Sequence, residues 1–211
     1  MKKIVTKLMI TKKVGMTQLI TESARIIPVT VLQPVPTIIM TRTESESGCH
    51  RIMLGYDSVK LKRANKPHQG QFASRDLDVY KHIAEFILQH DDASMLSPGS
   101  SLSLDQFNDL ESIFIKSTSK GCGFSGTIKR WNFSRGPESH GSKSHRIPGS
   151  IGAGTTPSRV VKGKKMAGQY GNTTVTLRSQ IQRLDLEKQL IFVRGGVPGP
   201  SGGQVIIGAS V

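Results

Sequence analysis

Acidic residues are scarce in this chain. Over 211 residues, 15 Asp and Glu stand against 29 Lys and Arg, which leaves a formal net charge of +14 and an isoelectric point near 10.1. Such an imbalance is foreign to an ordinary cytosolic enzyme and implies a polyanionic partner: nucleic acid, anionic membrane, or an acidic protein or polysaccharide. Long apolar runs are missing too. A membrane span needs roughly 18 or more consecutive apolar residues, and the most apolar stretch, Ile26 to Met40, is interrupted by Pro28, Gln33, Pro34 and Pro36. Cysteine is limited to Cys49 and Cys122, with no CxxC pair and only His50 as a close companion, so neither a disulfide framework nor a zinc site is expected. No repeat of 20–50 residues is visible. The N-terminus, Met1 to Ile10, begins Lys-Lys but continues as a mixed run with Thr6 and Lys7. It has neither the apolar centre of a signal peptide nor the Arg- and Ser-rich composition of a transit leader, and the protein is expected to work where it is made.

What is present is unevenly distributed. Between Lys120 and Tyr170 there are ten basic residues, Lys120, Lys129, Arg130, Arg135, Lys143, Arg146, Arg159, Lys162, Lys164 and Lys165, and one acid, Glu138. This window holds +9 of the charge, and 19 basic and 14 acidic residues elsewhere make up the other +5. It also contains ten glycines (121, 123, 126, 136, 141, 149, 152, 154, 163 and 168) and prolines at 137, 148 and 157, with almost no periodic apolar pattern. A segment of this composition cannot hold a helix or bury a core. Ordering its backbone costs roughly 1–2 kcal/mol per residue, so it is expected to stay mobile until a partner supplies contacts. A solvated linker has no use for nine net positive charges. A strand threading between phosphates does, because each neutralised phosphate releases condensed counterion. Residues 120–170 are therefore expected to form an extended, basic, glycine-rich nucleic-acid-binding arm, and Lys162-Gly163-Lys164-Lys165 to meet phosphate.

The flanks read as short strands rich in Val, Ile and Thr and bounded by turn residues: Ile4–Ile10, Ile26–Gln33, Thr37–Arg42, Ile52–Asp57, Leu102–Asp105, Ser112–Ser117, Thr173–Arg178, Ile181–Leu186, Leu190–Arg194 and Val205–Ile207. The expected class is mainly β, a barrel or sandwich. Residues 184–190 have hairpin character. For Tyr80 to Gln89 the spacing of Ile83, Phe86 and Ile87 fits a helical face, yet the run is also short enough for a strand.

Three patterns invite catalytic readings. Gly121-Cys122-Gly123-Phe124-Ser125-Gly126 matches G-x-G-x-x-G after an expected strand, but dinucleotide binding also needs a helix opening at the glycines and an acid about 20 residues on. No acid occurs from Ser139 to Val160. His140 and His145 lie near Ser139, Ser142 and Ser144, but Glu138 is the only carboxylate nearby and there is no G-x-S-x-G elbow, so a hydrolase triad is not expected. Both histidines fit better as base-stacking or phosphate-bonding groups. Trp131, the sole tryptophan, sits in Lys129-Arg130-Trp131-Asn132-Phe133. It is suited equally to stacking on RNA and to plugging the base of the arm.

These residues resemble a known family. Lys129-Arg130-Trp131, Ser139-His140-Gly141-Ser142-Lys143, His145-Arg146, Pro148-Gly149-Ser150-Ile151-Gly152, Thr156-Pro157 and Val161-Lys162-Gly163-Lys164-Lys165-Met166-Ala167-Gly168 are similar to the ribosomal protein L3 family of bacterial or organellar type. So are Lys12-Lys13-Val14-Gly15-Met16-Thr17-Gln18, Asn65-Lys66-Pro67 and Gly196-Val197-Pro198-Gly199-Pro200. The resemblance implies a translation-protein-type β-barrel built from 1–119 and 171–211, with 77–111 matching loosely and residues 80–89 on a barrel strand. It implies a non-enzymatic constituent of the large ribosomal subunit, without cofactor, metal, membrane or small-molecule substrate. Its partners would be large-subunit (23S-type) rRNA near the 3′ part and neighbouring ribosomal proteins, in a bacterial cytoplasm or plastid stroma, with a role early in subunit assembly. The rRNA-binding residues would be Lys120, Lys129, Arg130, Trp131, Arg135, His140, Lys143, His145, Arg146, Arg159, Lys162, Lys164 and Lys165. The loop tip, Gly149, Ser150, Ile151, Gly152, Ala153, Gly154 and Thr155, would approach the peptidyl transferase centre. Cys122 stands at a position commonly basic in the family, and Ala153 at one where some members carry a methylated glutamine.

Overall fold

The computed structural model describes residues 6–44, 49–89 and 97–209. Ile4 and Val5 of the first expected strand, and the first half of the N-terminal run weighed as a leader, lie outside them, as do residues 90–96 of the loosely matching middle. Two compact units emerge, Met1–Thr118 with Thr174–Val211, and Ser119–Thr173. The chain is mainly β, with strands β1 Lys7–Ile20, β2 Ile26–Pro34, β3 Thr37–Glu44, β4 Cys49–Ser58, β5 Tyr80–Gln89, β6 Ser112–Thr118, β7 Phe124–Ser125, β8 Gly168–Gln169, β9 Thr174–Asp185, β10 Leu190–Arg194 and β11 Gln204–Ala209. Two short helices join them, α1 Lys66–Ala73 and α2 Thr127–Trp131. No helix among the described residues is long and apolar enough to cross a membrane.

In the first unit, six antiparallel strands close on themselves in the order β1-β11-β6-β9-β10-β2. Alternation drives this closure. Ile113 and Ile115 on β6, Ile191 and Val193 on β10, and Val205 and Ile207 on β11 are two residues apart, so each pair lands on one face. They meet Met9 and Leu32 in a single apolar cluster inside the ring. The opposite face of β1 is covered as well, with Leu8 and Ile10 packing against Ile39, Ile52 and Leu54 of a separate sheet ordered β3-β4-β5. Burial on both sides explains why Leu8, Met9, Ile10 and Thr11 form a continuous buried run.

Three sequence expectations change, and one helix is added. Leu102–Asp105 is not a strand. A 3-10 turn spans Leu104–Phe107, the Ser103 hydroxyl accepting the Asp105 amide, and Leu104 and Phe107 three residues apart both enter the barrel core. Thr173–Arg178 and Ile181–Leu186 form one strand. β9 pairs with β6 through Gln180 and with β10 from Ile181 onward, so the polar residues between mark a change of neighbour, not a break. Residues 80–89 are indeed a strand, but β5 lies in the three-stranded sheet, outside the ring. Helix α1 has no clear sequence signal, because Gly70 depresses its propensity and Phe72 is its one buried residue, although Pro67 suits its first turn. Its inward residue Phe72 packs with Met40 and Val79, and a Cβ at Gly55 would press on the Phe72 and Tyr80 rings at 3.3 Å.

Lys13 illustrates how one family-like motif serves another. Its side chain turns into the end of the ring, where Nζ donates to the carbonyls of Val197 at 2.6 Å and Gly199 at 3.1 Å. The backbone of Lys13 also exchanges hydrogen bonds with Gly202 and Gly203. The loop after β10 is thereby fastened beside Thr118, with Ser117 Oγ donating to Pro198 O at 2.9 Å. Lys13→Ala is expected to lower unfolding stability by about 2 kcal/mol, the cost of stranding buried carbonyls. Equilibrium urea denaturation of the full chain would measure it, and an unchanged midpoint would refute this role.

Candidate nucleic-acid interface

The second unit holds all the residues singled out for RNA, and its composition dictates how it is built. None of its apolar side chains is buried; only Ser125 and Thr127 are. Without a core, it is organised by backbone hydrogen bonds. The two chain segments leaving and returning at its base form a ribbon: Ser119 N to Thr173 O at 2.9 Å, Cys122 N to Tyr170 O at 2.8 Å, Tyr170 N to Gly123 O at 2.9 Å, then β7 against β8. Gly171 makes the ribbon possible. It sits at φ +71°, and a Cβ there would overlap the Lys120 carbonyl oxygen.

Helix α2 follows directly, from the extended Gly126 to Asn132, which ends it in the left-handed conformation at φ +58°. One turn of this composition does not persist by propensity alone. Side-chain hydrogen bonds supply what propensity lacks: Arg130 Nη1 and Trp131 Nε1 both donate to Met166 O, at 2.8 and 2.9 Å. The expectation that this segment holds no helix and stays unstructured without a partner is thus corrected at its base, where hydrogen bonds across the ribbon replace apolar burial. Trp131 remains 39 % exposed, with the Arg130 guanidinium 5.1 Å and Lys165 Nζ 5.8 Å from its ring centroid.

A second, smaller closure lies further out. Gly136 N donates to His145 O at 2.9 Å, His145 Nδ1 lies 3.0 Å from Pro137 O, and a Cβ on Gly136 would collide with Ser144 O. Beyond it, residues 146–165 make only local turns, such as Ser158 N to Gly154 O at 3.2 Å and Lys164 N to Val161 O at 3.4 Å. The tip residues Gly149, Ser150, Ile151, Gly152, Ala153, Gly154 and Thr155 are all exposed; 151–155 curl with 158–160 around a hollow of about 430 Å³.

Of the thirteen side chains named for RNA, Arg130 is half-buried and the other twelve are exposed. Arg135 is the one paired with an acid, Glu138 at 2.7 Å. Both partners are well exposed, so the pair is worth at most about 1 kcal/mol and leaves Arg135 open to a phosphate. Phe124 is an addition that the sequence does not single out. It is 81 % exposed, beside a depression of about 260 Å³ also lined by Lys129 and Arg146. An aromatic on a two-residue strand whose neighbour Ser125 is buried must face outward, and that is the available signal.

The catalytic readings find no support here. Helix α2 does open after the third glycine of Gly121–Gly126, but it is one turn long and no carboxylate follows at ribose distance. His145 engages a backbone carbonyl, and His140 stands exposed at φ +56°. Cys122 is free and exposed, and the Cys49 side chain lies outside the described residues.

The model of the family described as ribosomal protein L3 matches residues 100–191. A curated relative, the large ribosomal subunit protein uL3 of Alteromonas mediterranea, is 43% identical over 203 residues, covering 95% of this chain and 96% of that protein. The chain belongs to the ribosomal protein L3 family. Membership settles the class of activity, since L3 proteins are structural and not enzymatic. In this L3 chain the +9 segment has no buried apolar side chain, whereas the buried apolar clusters among the described residues all lie in the first unit.

Proposed function

We propose that this protein is a structural constituent of the large ribosomal subunit that binds 23S-type rRNA near its 3′ part, acts early in subunit assembly, and directs residues 149–155 toward the peptidyl transferase centre. The first unit supplies folding stability as a translation-protein-type barrel, and residues 120–170 supply most of the affinity for RNA. The carrying observation is that a unit with ten cations, one acid and no buried apolar side chain presents nearly every cation to solvent. Lys120, Lys129, Arg135, Lys143, Arg146, Arg159, Lys162, Lys164 and Lys165 contact phosphate, and His140 and His145 contact phosphate or bases. Arg130 has one Nη on Met166 O, and its remaining donors face RNA. Phe124 and the exposed part of Trp131 stack on bases, with Lys129 and Arg146 flanking the former. Neighbouring ribosomal proteins and the ribosome of a bacterium or plastid complete the setting, and no cofactor takes part.

Limited proteolysis tests this reading. In the free full chain, trypsin is expected to cut first within residues 146–165, where only local turns hold the backbone. In large subunits purified on a sucrose gradient and washed with high salt, the same bonds are expected to resist by more than an order of magnitude in rate, because RNA encloses them. Equal cleavage in both states, or loss of the chain in the wash, would overturn the proposal.

A further inference from the structure

Removing the second unit from the charge count exposes a second basic site. The first unit retains 19 basic and 14 acidic residues. Five of those cations, Lys60, Lys62, Arg63, Lys66 and Arg75, lie between Asp57 and Asp76 with no acid among them. The remaining fourteen are matched by the fourteen acids, so the unit's entire net charge comes from this one short segment. All five side chains are exposed, and among the described residues none of them is in an ion pair.

The segment is a rigid elbow: a 3-10 turn, Leu61–Arg63, running into α1. Gln69 clamps it, its side-chain amide donating to Leu61 O at 2.8 Å and to Ala64 O at 2.7 Å. His68 Nε2 lies 2.6 Å from Tyr80 O, and Phe72 is fully buried beneath. The charges are therefore carried on fixed backbone, unlike those of residues 146–165.

Their placement opposes the stability of α1. Cations favour a helix C-terminus and acids its N-terminus. Arg75 obeys this, donating to Gln71 O and Ser74 Oγ at the C-terminal end. Lys60, Lys62, Arg63 and Lys66 cluster at the other end, where the first turn has no acid and the Asn65 side chain makes no capping hydrogen bond. Lys62 and Arg63 also end the 3-10 turn, but a single three-residue turn has too small a dipole to account for four cations there, whereas an external anion does. Four cations within seven residues on a fixed elbow suit the evenly spaced phosphates of a nucleic-acid backbone.

We infer that Lys60, Lys62, Arg63 and Lys66 form a second RNA-docking surface on the first unit, taking the phosphodiester backbone of large-subunit rRNA without reading sequence. The inference rests on the family's rRNA as the polyanion present, and adds a contact outside residues 120–170. Lysine acetylation of the full chain, read by mass spectrometry, tests it with protein-free large-subunit rRNA as the probe. Lys60, Lys62 and Lys66 are expected to react roughly tenfold more slowly in the complex, while Lys188 on the β9–β10 hairpin keeps its free rate. The arm lysines 162, 164 and 165 are read in the same spectra. If they are protected while Lys60, Lys62 and Lys66 are not, the elbow inference fails and the arm reading stands. Protection of the elbow only in whole subunits, not by RNA alone, would assign it to an acidic protein neighbour and overturn the inference. In the quadruple variant K60A/K62A/R63A/K66A, the slope of log affinity against log salt is expected to shrink by about three, with the urea midpoint raised slightly and not lowered. An unaltered slope would equally refute docking there.

Discussion

Replacing Lys162, Lys164 and Lys165 together by alanine is expected to weaken binding of the full chain to large-subunit rRNA on the order of 100-fold at moderate salt, at roughly 1 kcal/mol for each phosphate interaction removed. All three side chains are exposed, and the only hydrogen bond tying this stretch to itself is the backbone bond from Lys164 N to Val161 O. Their removal leaves the fold untouched, so the weakening is one of interaction alone. The signature is salt dependence. Each released counterion adds about 0.7–0.9 to the slope of log affinity against log salt, so the triple variant flattens it by between two and three. Substituting Lys164 or Lys165 singly flattens it by about one. Because phosphate carries no sequence information, affinity is expected to fall alike for different RNA sequences. Weaker binding with an unchanged slope would mean that these side chains do not meet phosphate. Lys165 carries one complication, since it also lies over the Trp131 ring. A Lys162→Ala, Lys164→Ala double variant separates that ring interaction from the electrostatic one.

Gly171→Ala is expected to break the ribbon at the base of the second unit while leaving the barrel folded. Two penalties coincide at this position. An L residue at φ +71° costs roughly 1–2 kcal/mol, and the new Cβ would collide with the Lys120 carbonyl oxygen. The segment must open, taking with it the hydrogen bonds of Cys122 to Tyr170 and of Tyr170 to Gly123. With no buried apolar side chain to compensate, the second unit has little else to hold its base. About 3 kcal/mol of local stability is therefore at stake. Hydrogen exchange of the full chain gives the discriminating readout: the Cys122 and Tyr170 amides lose protection, while Ile115 and Ile207 in the barrel keep theirs. Global unfolding, or unchanged protection at Tyr170, would contradict this account.

Much of the barrel can be read directly from the chain because alternation is a local signal. Ile113 and Ile115, Ile191 and Val193, and Val205 and Ile207 each announce an inward face in two residues, and the structure brings all three pairs into one cluster. Where a local signal serves two partners, it misleads. β9 reads as two strands because its neighbours change at Gln180 and Ile181. Leu102–Asp105 reads as a strand because Leu102 and Leu104 alternate, whereas Leu104 and Phe107 bury at a spacing of three, visible only once the barrel core is known. α1 is hidden because its stability comes from Phe72, Gln69 and the room left by Gly55, none of which is a propensity. At the interface, the cations are legible and Phe124 is not, since its exposure follows from a two-residue strand that composition does not reveal.

Charge, glycine content and motif order belong to the chain itself, and they alone determined that this is an L3-family protein divided between a β-rich unit able to bury a core and a basic segment unable to do so. Tertiary structure decided which strands close the ring, which form the flanking sheet, that Lys13 fastens the loop after β10, and that Arg130 and Trp131 hold a single helical turn through one carbonyl. The division has a physical cause. Burial pattern and charge are properties of residues and their near neighbours, whereas partner choice and hydrogen-bond closure join atoms far apart in sequence, whose meeting depends on every element between them.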